Sequence, residues 1–267
     1  MSKQLTRSAR KRFGQNFLVD GRVIEAILAS IRASADDAIV EIGPGHGAIT
    51  EGLYASKCDL TLIELDRNLV PGLLASFVSK SPARCRLLNE DVLKVDFGQF
   101  SNPLRIVGNL PYNISTPLLF KLLDLGDQIQ DIHVMLQKEV VKRIAAVPGE
   151  SAYGRLGVMI QATAYVEPLI EVPPESFAPP PKVDSGVIRI IPCARKRSLI
   201  ASMDTLTDVV RQAFSQRRKT LRNNLRDILT SEEFEVLGIN PQDRPERLSV
   251  QTYVELGNYL DRKQRGI

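Results

Sequence analysis

The sequence predicts an α/β fold: a doubly wound, Rossmann-like and mostly parallel sheet, followed by a small all-helical C-terminal domain. Three observations lead there. Short apolar runs alternate with apolar helical stretches up to about residue 136, the pattern of repeated strand–helix–strand units. A glycine-rich turn, Gly43, Pro44, Gly45, His46, Gly47, follows the first of those runs. From about Asp204 onward the alternation gives way to helical spacing.

In order along the chain, residues 20–33 read as an amphipathic helix with Asp20 as N-cap and Val23, Ile24, Ile27, Leu28 and Ile31 on one face. The strands expected next are Ala38–Ile42, Leu60–Leu65, Arg86–Leu88, Leu104–Val107 and Ile132–Leu136. A Pro-rich stretch, Pro173–Pro181, separates an apparent strand at Val166–Val172 from one at Gly186–Ile191, a pair suited to an antiparallel hairpin closing one sheet edge. Leu206, Val209, Val210, Ala213 and Phe214 then keep helical spacing, and a later helix starts at Ser249 with Val250, Tyr253, Leu256 and Leu260. The expected domains are 1–192, a linker at 193–203, and a helical domain at 204–267.

With 267 residues, 43% hydrophobic and 25% charged, the composition is that of a soluble globular protein with one large core and a smaller domain. Charges interrupt every apolar stretch before the ~20 residues a membrane span needs, and no secretory segment is evident, so a cytoplasmic location is expected. Cys58, Cys85 and Cys193 are odd in number and far apart, which speaks against a disulfide framework or zinc cluster and for three buried thiols. With His46 and His133 as the histidines, no metal site is expected. The net charge is only +4, yet Lys3, Arg7, Arg10, Lys11 and Arg12 all precede the first acid, and Arg211, Arg217, Arg218, Lys219, Arg222 and Arg226 form a second acid-free block. Such one-sided blocks suit a phosphate-rich partner, a nucleic acid.

Ligands of open α/β sheets bind beyond the carboxyl ends of the strands. The residues there are Gly43, Glu64, Asp91 and Asn109. Asn109, Leu110, Pro111 and Tyr112 can aim an amide oxygen, a backbone carbonyl and an aromatic ring at one planar target. Two acceptors are what an adenine amine needs in order to become nucleophilic, with Pro111 fixing the Leu110 carbonyl and Tyr112 stacking on the base. Gly43, Gly45 and Ala48, with Glu64 21 residues beyond Gly43, also match a loose dinucleotide fingerprint, so a nicotinamide-dependent oxidoreductase stays open. S-adenosylmethionine accounts for more: Glu64 for its ribose diol, Asp91 for its adenine amine, and Glu41 to orient the loop or face its cationic end.

The glycine loop, Asn109–Tyr112, Lys11 to Leu18, Phe177 to Ser185 and Tyr153 to Val158 together resemble the ribosomal RNA adenine dimethyltransferases, from about Ser8 to the C-terminal helices. The resemblance implies the seven-stranded methyltransferase sheet. It also implies that Gln15, Asn16 and Leu18 close over the methionine end of S-adenosylmethionine, and that Gly43, Glu64, Asp91 and Asn109 contact the cofactor. Leu110 and Tyr112 would complete the target pocket, with Phe177 a second stacking surface or simply a core side chain. Arg10, Lys11, Arg12, Arg217, Arg218, Lys219 and Arg222 would grip RNA phosphates. Phe177–Ser185 and Tyr153–Val158 are more similar to the KsgA type, which dimethylates two adjacent adenosines near the end of 16S rRNA in the small subunit and serves its biogenesis, than to the Erm type, which acts on one large-subunit adenosine. A non-catalytic ribosome-assembly factor is the third reading, and a monomer the default.

Overall fold

The computed structural model describes residues 15–101, 103–111 and 113–266. Tyr112, Arg10, Lys11 and Arg12, and the stacking and phosphate contacts expected of them, lie outside the described residues. The described residues divide into two compact units, one comprising those up to 138 and 168–190, the other 139–167 and those from 191 onward.

The first unit starts with β1 (Phe17–Leu18) and α1 (Gly21–Ile31), and Asp20 caps α1 by accepting from the Arg22 N–H. Ile27 and Ile31 are buried, each contributing about 1.5–3 kcal/mol by leaving water. Then come β2 (Ala38–Ile42), α2 (Thr50–Ala55), β3 (Asp59–Ile63), α3 (Val70–Ser76), β4 (Cys85–Leu88), β5 (Leu104–Asn109), α4 (Ser115–Leu123) and β6 (Ile129–Gln137). Helix α1 packs so closely on α2 that a Cβ at Gly52 would lie 2.2 Å from Leu28.

The chain continues with α5 (Lys138–Ala145), α6 (Arg155–Gln161), β7 (Ala164–Val172), β8 (Phe177–Ala178) and β9 (Ser185–Pro192). One sheet has seven strands in the order β4-β3-β2-β5-β6-β9-β7, and β1 pairs with β8 in a small second sheet. β2 through β6 are mutually parallel, and β9 runs antiparallel to β6. The expected pairing of the strands around Val166–Val172 and Gly186–Ile191 closes one end of the sheet. Strand β2 is buried on four of its five residues because helices cover both faces of such a sheet.

At the amino ends of β5 and β6, the Arg105 guanidinium forks onto both Asp131 oxygens at 2.9 and 3.0 Å and reaches Asp37 at 3.1 Å. Arg189 adds a bond to Asp131 at 3.1 Å. Burial pushes the Asp131 carboxyl up, but the Arg105 hydrogen bonds and the surrounding positive charges outweigh it and hold it below the usual range.

The second unit contains α5 and α6 together with α7 (Ala194–Ser198), α8 (Met203–Ala213), α9 (Leu221–Leu225), α10 (Ser231–Val236) and α11 (Val250–Arg265). Tyr153, Phe214 and Tyr253 stack in sequence in its core, at centroid distances of 6.3 and 5.7 Å. The stretch expected as a linker carries α7, and Cys193, expected to be buried, is half-exposed at its start. Cys58 and Cys85 are buried thiols.

A continuous helix from Arg217 to Arg226 does not form. Residues 214–220 make a turn that Asn224 holds by donating to the Ala213 and Gln216 carbonyls, at 2.6 and 3.2 Å. Arg217, Arg218 and Lys219 project from that turn and Arg222 from the short α9, all of them exposed.

Candidate cofactor and target site

Strand register builds the site. Ile42 pairs with Ile63 on one side and Gly108 on the other, so the residues that follow, Gly43, Glu64 and Asn109, stand side by side on one rim of the sheet. The order of strands reverses at β2, and the crevice that a doubly wound sheet opens there is the usual ligand position. A cavity of about 350 Å³ occupies it, within the range of small-molecule sites.

Its lining includes Gln15, Asn16, Leu18, Glu41, Gly43, Gly45, Glu64, Asn109, Leu110, Pro111 and Phe177, which sequence reasoning had singled out. Asp91 does not line it; its carboxylate accepts from the Leu93 N–H at 3.0 Å in the turn after β4. Phe177 is 4% exposed, a core side chain that also forms part of the cavity wall.

The glycine loop turns through left-handed conformations at Gly43 and Gly45, with φ of +66° and +61°. Gly43 N–H donates to the Ile63 carbonyl at 2.9 Å, tying the loop to the end of β3. A Cβ on Gly45 would lie 3.0 Å from the Phe17 ring, which also packs at 4.2 Å on the His46 ring.

Glu64 is fixed by two backbone donors, Gly45 N–H at 3.2 Å on one oxygen and Asp66 N–H at 2.8 Å on the other. Burial raises its pKa, partly offset by those bonds. Asn89 donates to the Glu64 carbonyl at 2.7 Å. Glu41 is 2% exposed and accepts from Thr50 Oγ1 at 2.6 Å; burial pushes its carboxyl up to about 7, with the nearby Glu64 charge adding to the rise. At the other side Asn109 Nδ2 donates to the Asn16 carbonyl at 3.3 Å, and turning the amide over would set oxygen against oxygen. That leaves Oδ1 as the acceptor. The Leu110 N–H donates to the Met135 carbonyl at 3.1 Å, holding the backbone ahead of Pro111.

Among the described residues the cavity wall carries three carboxylates, Glu41, Glu64 and Asp66, and neither lysine nor arginine. A pyrophosphate would meet negative charge there, whereas a sulfonium with a ribose diol is matched by it, so the residues fit S-adenosylmethionine and disfavour a dinucleotide. Sequence reasoning missed Asp66 and, although Phe17 stands within the Lys11-to-Leu18 motif, gave it no role in the site. The signal for Asp66 was adjacency alone, two residues past Glu64, because the contacts that bring it here join distant segments.

The profile of the family described as ribosomal RNA adenine dimethylase matches residues 6–262. "Ribosomal RNA small subunit methyltransferase A" of a Shewanella species is 50% identical over 263 residues, 97% of each chain. The protein of the same name in Saccharophagus degradans is 52% identical over 255 residues, 94% of each. In fold, a dimethyladenosine transferase from Plasmodium falciparum superposes with a TM-score of 0.82 at 24% identity, covering 94% of this chain and 98% of that one. The 23S rRNA methyltransferase ErmE gives 0.74 at 24% identity, covering 92% and 100%. A profile match along nearly the whole chain and half-identity to these relatives place this protein in the ribosomal RNA adenine dimethylase family.

Proposed function

We propose that this enzyme uses S-adenosylmethionine to dimethylate the exocyclic amines of two adjacent adenosines near the 3′ end of 16S rRNA, in the small ribosomal subunit, and so takes part in small-subunit biogenesis. The observation that carries the reading is the acidic cavity at the β2 switch point, whose rim ends on Asn109, in a chain half-identical to small-subunit methyltransferases. The likeness to ErmE, at 24% identity, speaks for a shared fold, and the small-subunit relatives favour the 16S target over the large subunit.

When bound, the cofactor supplies an electrophilic methyl group on a sulfonium. The chain does the rest by position. Glu64, locked by Gly45 and Asp66 N–H groups, receives the ribose diol, and Glu41 faces the cationic end. Asn109 Oδ1 and the Leu110 carbonyl accept the two amine hydrogens of the target adenine, which localises its lone pair on nitrogen. No general base is required, because the C–S bond of the sulfonium breaks as the N–C bond forms and the methylated, positively charged amine then loses its proton to water. The base leaves its stack to enter the pocket, where Phe177 forms part of the wall; stacking on the base is the role assigned to Tyr112 from the sequence. After the first methylation, one hydrogen remains for Asn109. Asp91, which stands outside the cavity wall in the turn after β4, is assigned to the cofactor adenine on the sequence resemblance alone. Arg217, Arg218, Lys219 and Arg222 grip RNA phosphates, the same role is assigned from the sequence to Arg10, Lys11 and Arg12, and the protein acts as a monomer without a metal.

The test is methyl transfer from labelled S-adenosylmethionine to small subunits lacking the modification, with large subunits in parallel and the product base mapped after nuclease digestion. Dimethyladenosine confined to 16S rRNA is expected. Label on large-subunit RNA would assign the Erm-type target, and cofactor binding with no transfer would leave an assembly factor.

A further inference from the structure

We infer that Asp66 is a positioning residue that latches the N-terminal segment across the cofactor cavity by holding Gln15. The inference rests on the cofactor-site reading above and extends it to a residue outside every motif.

Residues 15–18 line the cavity, and the segment 15–20 is tied down along its length. Toward its C-terminal end, Phe17 and Leu18 pair with Ala178 and Phe177, the Val19 N–H donates to the Ser176 carbonyl at 2.9 Å, and Ser176 Oγ donates to Asp20 at 3.2 Å. Toward its N-terminal end, Gln15 Nε2 donates to Asp66 Oδ2 at 3.1 Å and the Asn16 carbonyl accepts from Asn109 at 3.3 Å. Gln15 and Asp66 are 51 positions apart in sequence, and both line the cavity. Their bond therefore joins position 15 of the segment to the loop after β3, beside the carboxylate assigned to the ribose.

Asp66 is preset for this. It is 6% exposed, and its Oδ1 already accepts from the Asn68 backbone N–H at 3.0 Å and side-chain amide at 2.5 Å. Its own N–H donates to Glu64 at 2.8 Å. The carboxylate cannot rotate without giving up these bonds, so Oδ2 stays aimed at position 15. An ionised acceptor makes the amide bond stronger than a neutral one would. Gln15 in turn gains a fixed partner at little additional conformational loss, since the carboxylate is ordered with or without it. If Asp66 served merely as the cap of its own turn, substitutions at 15 and 66 would act independently.

The two positions can be exchanged chemically. Gln15→Glu sets carboxylate against carboxylate. Asp66→Asn keeps an oxygen for Asn68 and turns an amide donor toward position 15, where the Gln15 amide can turn over to accept. In the double variant the new amide at 66 donates to the new carboxylate at 15.

The experiment compares wild type, Gln15→Glu, Asp66→Asn and the double variant by amide hydrogen exchange of residues 15–20 in the cofactor-free protein, and by the dissociation rate of S-adenosylmethionine. Gln15→Glu is expected to speed both by about tenfold, Asp66→Asn by no more than about threefold, and the double variant to return to within about threefold of wild type. Effects that multiply, so that the double variant is as fast as or faster than Gln15→Glu, overturn the latch. Loss of protection that extends into β2, β3 and β5 overturns it equally, since Asp66 would then hold the sheet rather than the segment. A Glu64→Gln variant with undiminished cofactor affinity would refute the cofactor-site reading instead, while the cofactor-free exchange still decides the latch.

Discussion

Replacing Glu41 by Gln should remove a pH dependence from both stability and cofactor binding. Glu41 is 2% exposed and its carboxyl is pushed from 4.5 up to about 7, chiefly by burial and against the Thr50 hydrogen bond. The folded protein thus holds this proton more tightly than the unfolded chain. Its favourable contribution is fully present below pH 4.5 and is lost as pH rises through about 7. The difference amounts to roughly 3 kcal/mol. Because the substituted amide is neutral at every pH, the variant should gain on wild type by roughly 3 kcal/mol between pH 4 and pH 8 in cofactor-free denaturant titrations. A bound sulfonium favours the ionised carboxylate, so cofactor binding should expel the proton and tighten by about tenfold from pH 6 to pH 8, as half-titration near 7 requires. Calorimetry in two buffers of different ionisation enthalpy counts that proton. Equal proton release and equal pH slopes in wild type and variant would refute the reasoning.

Asn109→Ala should lower turnover by about 10²–10³ while changing cofactor affinity far less, because it removes an acceptor used at the reacting amine; the split between single-turnover rate and cofactor Kd reads this out. Asp131→Asn should destabilise by about 3–5 kcal/mol at pH 7, since it leaves the buried Arg105 without its forked partner. That gap should narrow on acidification, because the lowered Asp131 pKa gives stability above 3.8 that is lost as pH falls through its folded-state value; urea titrations across pH check it. Arg218→Ala with Arg222→Ala, both at exposed positions, should weaken RNA binding without altering the modified base, and should flatten the plot of log affinity against log salt by about 1.5.

Strand and helix alternation was legible because buried parallel strands read as apolar runs and amphipathic helices as 3.6-residue stripes. The strand termini came out within a few residues, with β5 running on to Asn109 itself and β6 starting earlier, at Ile129. The basic block was legible as charge but not as shape. Arg217–Arg226 has helical composition, yet the end of α8 is capped by Asn224, a bond that local propensity does not encode.

The site divides in the same way. Glycines that tolerate positive φ, an acid at the end of the next strand and an Asn-Leu-Pro-Tyr turn are local necessities of chemistry, so the chain spells them out, and with them the cofactor and the reaction class. Which residues meet was decided by the tertiary structure. Register set Gly43, Glu64 and Asn109 abreast, left Asp91 in a turn outside the cavity wall, and carried Gln15 across to Asp66. The physical reason is that a hydrogen bond between residues 51 positions apart leaves no periodicity in the sequence; it exists only once the sheet has fixed where both ends stand.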